Sequence, residues 1–396
     1  MNASGIPERL GLTSVGLEPF FDEHHRRLAE RLEEVAERLM ADDRDASGIA
    51  AAMGEELGLY PHLVPQACGG AASDWPDDPT RVDVRSLVLI REALGFAHPQ
   101  ADAIFAVQGL GSYPIAVQGN AEQRARWLPD VVTGRRIAAF ALTEPEAGSD
   151  VASLRCEALP DGDGFRLRGE KTLISNVPIA DHYVVFANAD PEKGRKGISA
   201  FVVQAEAPGL EVEPLGMSID HPVGSLLLDD CPVGRDSLLG EVGDGFKLAM
   251  RTLDTFRISV GAAANGMATA ALEDTLDHVT TRRQFGAPLA AQQIVQAYLA
   301  EMATELDAGR LMVARAAYAK DRLEGRHSAE VAMAKLVATE GAQRIIDKAV
   351  QLHGGRGVLS GTRVEALYRD IRPLRIYEGT TEIQKLIISR ALLDAR

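Results

Sequence analysis

Pro160-Asp161-Gly162-Asp163-Gly164-Phe165-Arg166-Leu167-Arg168-Gly169-Glu170-Lys171-Thr172-Leu173-Ile174 decides the architecture, because a turn-rich run of Pro, Asp and Gly opens directly into a strand-like segment. The same texture recurs at residues 137–142, 183–187, 198–204, 210–214 and 225–228, divided by turns such as Glu192-Lys193-Gly194-Arg195. No helical segment intervenes, so the reading is a small antiparallel β unit and not a parallel nucleotide-binding sheet.

Working outward, both flanks read as helical. Upstream, residues 18–40 place Phe20, Phe21, Leu28, Leu32, Val35 and Leu39 at helical spacing, and 47–58, 82–95 and 102–117 read as further helices. A Gly- and Asp-rich loop spans 68–80, and a mixed lead-in covers 1–17. Downstream of Gly240-Glu241-Val242-Gly243-Asp244-Gly245-Phe246 the helical period returns over 246–281, 290–323, 328–352 and 380–393, lengths that suit a four-helix bundle. The predicted class is mainly α with a β domain: an N-terminal helical domain over 1–136, a middle antiparallel β domain over 137–241 and a C-terminal four-helix bundle over 242–396. No internal repeat or low-complexity tract interrupts this order.

Composition narrows the function classes. A chain of 396 residues and 42.5 kDa has room for two or three packed units, and its 46% hydrophobic and 25% charged residues are those of an ordinary globular protein. No apolar run reaches the length of a membrane span. A net charge of −15 argues against a nucleic-acid binder, since neutralising phosphates takes a surplus of Lys and Arg. Cys68, Cys156 and Cys231 are few and far apart, and the N-terminus lacks a charged-then-apolar signal pattern. The expected setting is the reducing cytoplasm, with no disulfide framework and no zinc. His24 and His25 are adjacent rather than four apart, which predicts that they point in different directions and hold no metal.

Chemistry is concentrated in a few short stretches. In Arg375-Ile376-Tyr377-Glu378-Gly379-Thr380-Thr381-Glu382-Ile383-Gln384 one carboxylate, Glu378, stands among apolar, aromatic and small residues before a last amphipathic segment. Such surroundings disfavour the charged form, raise the pKa and make a working base; the other reading is a helix start with a solvated carboxylate. Gly379 admits a close backbone or flat ligand, and Thr380 and Glu382 add hydrogen-bonding groups. Ala141-Leu142-Thr143-Glu144-Pro145-Glu146-Ala147-Gly148-Ser149-Asp150 is a bent loop that reads either as a cradle for a planar ligand or phosphate oxygens, or as a β-turn with Asx-type bonds.

Gly169-Glu170-Lys171-Thr172-Leu173-Ile174-Ser175-Asn176 ends in two side chains able to bond a ligand edge, or is simply a strand and its turn. Arg282-Arg283-Gln284-Phe285-Gly286 with Gln293 offers guanidinium forks for a pyrophosphate; the alternative is a helix C-terminus with Arg complementing the dipole and Gly286 as its cap. Gln351-Leu352-His353-Gly354-Gly355-Arg356-Gly357 follows a helix and lacks the glycine spacing of a dinucleotide fingerprint, so a Rossmann reading is rejected.

In order and spacing these stretches together resemble the acyl-CoA dehydrogenase family, from about residue 20 onward. Leu142 to Asp150 look like its first signature, Gly169 to Asn176 like its flavin-covering strand and Arg282 to Gln293 like its inter-subunit FAD segment. Gln351 to Gly357 and Tyr368-Arg369-Asp370, followed by Tyr377-Glu378-Gly379-Thr380, look like its C-terminal signature. The resemblance implies the same helical, β and helical-bundle order. It further implies that Glu378 removes the pro-R α-proton of an acyl thioester while FAD takes the β-hydride, with the Glu378 backbone N–H and a ribityl hydroxyl steadying the enolate oxygen.

By the same resemblance Leu142, Thr143, Ser149 and Ser175 lie near the isoalloxazine or pyrophosphate, with Thr380 and Glu382 also near FAD. Arg282, Phe285, Gln293, Gln351 and Gly355 reach the FAD of a neighbouring subunit, implying a homo-oligomer, commonly a tetramer. Asp254 and Arg257 match residues contacting CoA, and Ala106 and Leu110 fall on a helix that lines the acyl pocket. Some relatives carry the base on the earlier helix just before the equivalent of Arg257, where this chain has Phe256. Two departures stand out: Leu173 replaces the Trp packed over the flavin, and Val358 replaces an aromatic. A Leu excludes water but cannot stack. Electron-transfer flavoprotein is the expected electron acceptor, with oxygen, a carrier-bound acyl group or a non-enzymatic flavin-binding role as the alternatives.

Overall fold

The computed structural model describes residues 17–71 and 80–394. All but the last residue of the expected lead-in, and 72–79 of the expected loop, lie outside that set. In chain order come α1 (Glu23–Met40), α2 (Ala46–Glu55), α3 (Val84–Ala97), α4 (Pro99–Gln118) and α5 (Ala121–Val132). Seven strands follow: β1 (Ala138–Ala141), β2 (Glu157–Asp161), β3 (Gly164–Ser175), β4 (His182–Asn188), β5 (Ile198–Gln204), β6 (Leu210–Pro214) and β7 (Val223–Val233). After them run α6 (Gly245–Thr281), the small strands β8 (Arg283–Gln284) and β9 (Ala287–Pro288), then α7 (Gln293–Arg322), α8 (Ser328–His353), α9 (Arg363–Leu374) and α10 (Thr381–Asp394).

The chain forms two compact units, one from the residues up to Asp42, Val84–Asp102 and Arg257 onward, the other from Asp43–Asp83 and Ala103–Phe256. The first is helical. α1 buries Leu28, Ala29, Leu32, Val35, Ala36 and Leu39 on one stripe, and its start is fixed by a capping box in which the Asp22 N–H donates to His25 Nδ1 at 3.0 Å. α3 is buried on nearly every side. At Gly266 of α6 a Cβ would fall 2.0 Å from the Glu92 carbonyl oxygen, so α3 and α6 run backbone to backbone, which only a residue without a side chain allows. The buried Arg85–Asp321 pair, 3.2 Å, ties α3 to α7.

The second unit is built on the sheet, in the order β1-β4-β2-β3-β7-β6 with β5 on β4. Four of its six pairings are antiparallel, as expected; β1 and β2 both lie parallel to β4. β1 pairs with β4, which is not its neighbour in sequence, so no hairpin joins them. Val184, Phe186, Ile198, Ala200 and Val202 pack with Ile115, Trp127, Leu128 and Leu248 into a core over one face. α5 begins with a reciprocal Asn120–Gln123 capping box, 2.8 Å in each direction.

Five elements were not foreseen from the sequence: α5, β2, the β8–β9 pair and α9. β2 is hidden because it holds Pro160 and runs into the turn whose Gly162 has φ 62°. α9 is short and carries Pro373 one residue before its end, and with it α6 to α10 make five helices where four were expected.

Candidate active site

The turn before α10 is the most constrained stretch of the helical unit. Glu378 and Gly379 are successive left-handed residues, with φ 53° and 92°. For a glutamate this conformation is costly and persists only where its surroundings insist on it. They do so by gripping three successive carbonyls. Lys335 Nζ, from α8, donates to the Tyr377 and Gly379 oxygens at 2.6 and 2.5 Å; Arg257 Nε, from α6, donates to the Glu378 oxygen at 2.9 Å; Gln384 Nε2 donates to the Gly379 oxygen at 2.8 Å. Arg375 and Thr381, on either side of the turn, both donate to the Glu340 carboxylate.

Held this way, the Glu378 side chain is turned inward and is only 5% exposed. Among the described residues its buried Oε2 has no hydrogen-bond partner, and its Oε1 lies 3.9 Å from Arg91 Nη1. Arg91, on α3, donates from Nε and Nη2 to the two oxygens of Asp102 at 2.8 Å each and from Nη1 to Ser259 Oγ at 3.1 Å. Burial pushes the Glu378 carboxyl above its ordinary range, against the pull of Arg91, Lys335 and Arg257. Burial likewise pushes the Lys335 ammonium below its ordinary range. A buried carboxylate with raised pKa and one uncommitted oxygen can accept a weakly acidic proton. The solvated helix start weighed from the sequence is half right: α10 does begin beside Glu378, with Thr380 Oγ1 accepting from the Ile383 N–H at 3.3 Å, but the carboxylate is not solvated.

In the sheet unit, the loop from Leu142 to Asp150 contains the turn its sequence suggested and is bound to the neighbouring strand. Glu144 and Ala147 exchange backbone bonds as in a turn, while the Glu144 carboxylate accepts from Lys171 Nζ at 2.7 Å and from the Arg155 and Cys156 N–H groups at 2.6 and 2.9 Å. Lys171 also donates to the Leu142 oxygen, and the Thr172 N–H to the Thr143 oxygen, so loop and β3 are one piece. A bulge in the β3–β7 register between Lys171 and Ile174 puts Leu173 at φ 55° and leaves it 60% exposed. Ser175 Oγ lies 2.6 Å from His221 Nε2. Leu142, Ala106 and Leu110 are buried, Thr143 and Asp254 half-buried, and Ser149 exposed.

Arg282, Gln293, Gln351, Gly355 and Glu382 are all exposed in the helical unit, and Val358 is 69% exposed. Phe285 is 95% exposed at the tip of the β8–β9 hairpin, with φ 50°. Gly286 is the second turn residue of that hairpin, not a helix cap, because α6 already stops at Thr281.

His24 and His25 correct the expectation that they point in different directions: their ring centroids are 3.8 Å apart. Both fold back at the start of α1, bringing their nitrogens and Asp22 within 4.8 Å of one another. The Asp22 carboxylate is spent on Arg85 and Arg322 at 2.8 and 2.5 Å.

Comparison with known proteins agrees along the whole chain. Residues 18–135 match the acyl-CoA dehydrogenase N-terminal domain, 139–231 the middle domain and 243–393 the C-terminal domain. The chain belongs to the acyl-CoA dehydrogenase family. Its members are flavin oxidoreductases that bind FAD. A 3-(aryl)acrylate reductase of Clostridium sporogenes is 36% identical over 94% of this chain and 100% of its own length, and an acyl-CoA dehydrogenase of Bacillus subtilis is 40% identical over 85% and 87%. Among solved structures, butyryl-CoA dehydrogenase from Megasphaera elsdenii superposes with TM-score 0.86 at 32% identity, covering 94% of this chain and 99% of its own. A chain in a structure described as the electron transferring flavoprotein of Acidaminococcus fermentans gives 0.87 at 32%, covering 94% and 98%.

Around the Glu378 turn, sequence reading found Glu378, Arg257 and Thr380 but missed Arg91, Asp102, Ser259, Lys335 and Gln384, and in the sheet unit His221 beside Ser175. Arg91, Asp102 and Lys335 all lie inside stretches already read as helical, where a charged residue gives no sign of being turned inward.

Proposed function

We propose that the protein oxidises an acyl-CoA thioester to the trans-2-enoyl-CoA, with Glu378 removing the α-proton. The observation that carries this reading is the inward-turned Glu378 carboxylate with its unpartnered Oε2. FAD, when bound, supplies the acceptor for the β-hydride. The sheet unit suits such a group: an exposed apolar Leu173 on its bulge, a Ser175 hydroxyl beside it in sequence, and the Thr143 loop tied to the same strand. Leu142, Thr143, Ser149, Leu173, Ser175, Thr380 and Glu382 would hold FAD, Asp254 and Arg257 would meet CoA, and Ala106 and Leu110 would line the acyl chain.

We assign electron-transfer flavoprotein as acceptor, supported by the likeness to the Acidaminococcus chain. A homotetramer is our assembly, with Arg282, Phe285, Gln293, Gln351 and Gly355 reaching a neighbouring subunit's FAD, and the reducing cytoplasm our location for its three free thiols. Leu173 favours one second reading, oxygen as acceptor, since an aliphatic side chain shields a flavin ring less completely than a stacked aromatic.

An anaerobic titration with straight, branched and aryl-substituted acyl-CoA thioesters tests the reading: one class should bleach the oxidised flavin, and Glu378→Gln should keep the colour and lose bleaching by 10²-fold or more, about the usual worth of a general base. Bleaching at the normal rate in Glu378→Gln would place the base elsewhere. Stoichiometric peroxide in air would move the acceptor to oxygen.

A further inference from the structure

Arg91 is the charged side chain whose own position is most tightly fixed around Glu378. It is fully buried, forked onto Asp102 by two 2.8 Å bonds and bonded to Ser259 Oγ at 3.1 Å. Its Nη1 is 3.9 Å from Glu378 Oε1, too long for a hydrogen bond and close enough for strong attraction between buried charges. The other cations at the turn, Lys335 of α8 and Arg257 of α6, are engaged on backbone carbonyls of residues 377 to 379. Tyr377 is the remaining titratable neighbour, on the same turn, and Glu340 of α8 is occupied by Arg375 and Thr381.

We propose that Arg91, clamped by Asp102 and Ser259, is a positioning residue that holds the Glu378 carboxylate in place and sets how strong a base it is. The inference rests on the reading of Glu378 as the base. Burial disfavours the ionised form that a base needs, and a nearby cation offsets it. A bare guanidinium would overshoot, giving a tightly held carboxylate too weak to take a proton. Asp102, forked onto the same guanidinium, acts on Glu378 in the opposite sense and more weakly, so a residual positive pull remains.

The two partners therefore act on Glu378 with opposite sign, which a purely structural role would not do. Arg91→Met with Asp102→Leu replaces the pair by apolar groups and leaves no orphaned buried charge. In that variant the ascending limb of kcat/KM should move up by about one to two pH units. Asp102→Asn, which leaves the cation unneutralised, should move it down. Infrared titration of the Glu378 carboxyl, assigned by its loss in Glu378→Gln, reads the same shifts without turnover. Opposite shifts in both measurements support the inference. An unmoved carboxyl band in both variants, or shifts of the same sign, overturns it. If Glu378→Gln itself turns over normally, the base assignment has failed, and the failure is visible as such.

Discussion

Gly379 shows how narrowly the base is placed. Its φ of 92° already excludes most side chains, and a Cβ there would lie 2.7 Å from Gln384 Nε2. Gly379→Ala is therefore expected to cost about 1–3 kcal/mol of stability and to lower turnover, because the turn relaxes by moving Glu378. A thermal melt and a rate measurement on one preparation check both effects. Lys335→Met removes the donor from two carbonyls at once; its expected signature is a melting temperature lowered by several degrees with a rate loss of at least tenfold, and a wild-type rate would show that Arg257 and Gln384 suffice. Glu378 could be read in the sequence because an isolated carboxylate among small and apolar residues is a local pattern. Arg91, Asp102 and Lys335 could not, since each lies on a distant helix and looks like any charged residue until packing turns it inward.

His182, at the start of β4, ties the sheet to acid stability. It is fully buried against Trp127, its ring 4.6 Å away, and neither nitrogen has a hydrogen-bond partner among the described residues. Burial, helped by Arg136, pushes its pKa down to about 3. The folded value lies below the unfolded one, so the unfolded chain takes up the proton first as pH falls below about 6.5. Stability is then lost at about 1.4 kcal/mol per pH unit down to the folded value. Between pH 7 and 5 the melting temperature of the wild type should fall more than that of His182→Leu; equal falls would mean that another group controls the acid limb. β1, β3 and β4 were legible to within a residue and β5 and β6 match to the residue, whereas β7 runs five residues past the expected 225–228. β2 was not legible, because proline and aspartate are poor strand formers that the neighbouring strand nonetheless holds in register.

Across the whole molecule the helix, sheet and helix order was readable because the hydrophobic period changes twice along the chain. What period cannot reveal is how α1 and α3 join the chain from Arg257 onward in one compact unit, a matter of contacts far apart in sequence. Among the described residues no helix is long and apolar enough to cross a membrane. Phe285, Ile294, Leu386 and Leu393 are nonetheless large apolar side chains at least 60% exposed. For the proposed assembly, sedimentation should give a multiple of 42.5 kDa, and Phe285→Ser should weaken it and lower the flavin retained on gel filtration. A wild-type protein sedimenting as the single chain would defeat that expectation.

The β8–β9 hairpin carries a kinetic consequence. Its tip is already bent, with Phe285 held in a left-handed turn and the Arg283 side chain donating to the Gly286 carbonyl at 3.0 Å. Whatever surface receives that ring meets a finished shape, with no loop ordering left to slow the encounter. Arrival is then governed by diffusion and orientation, and changes to the ring itself should be felt in how long the contact lasts rather than in how fast it forms.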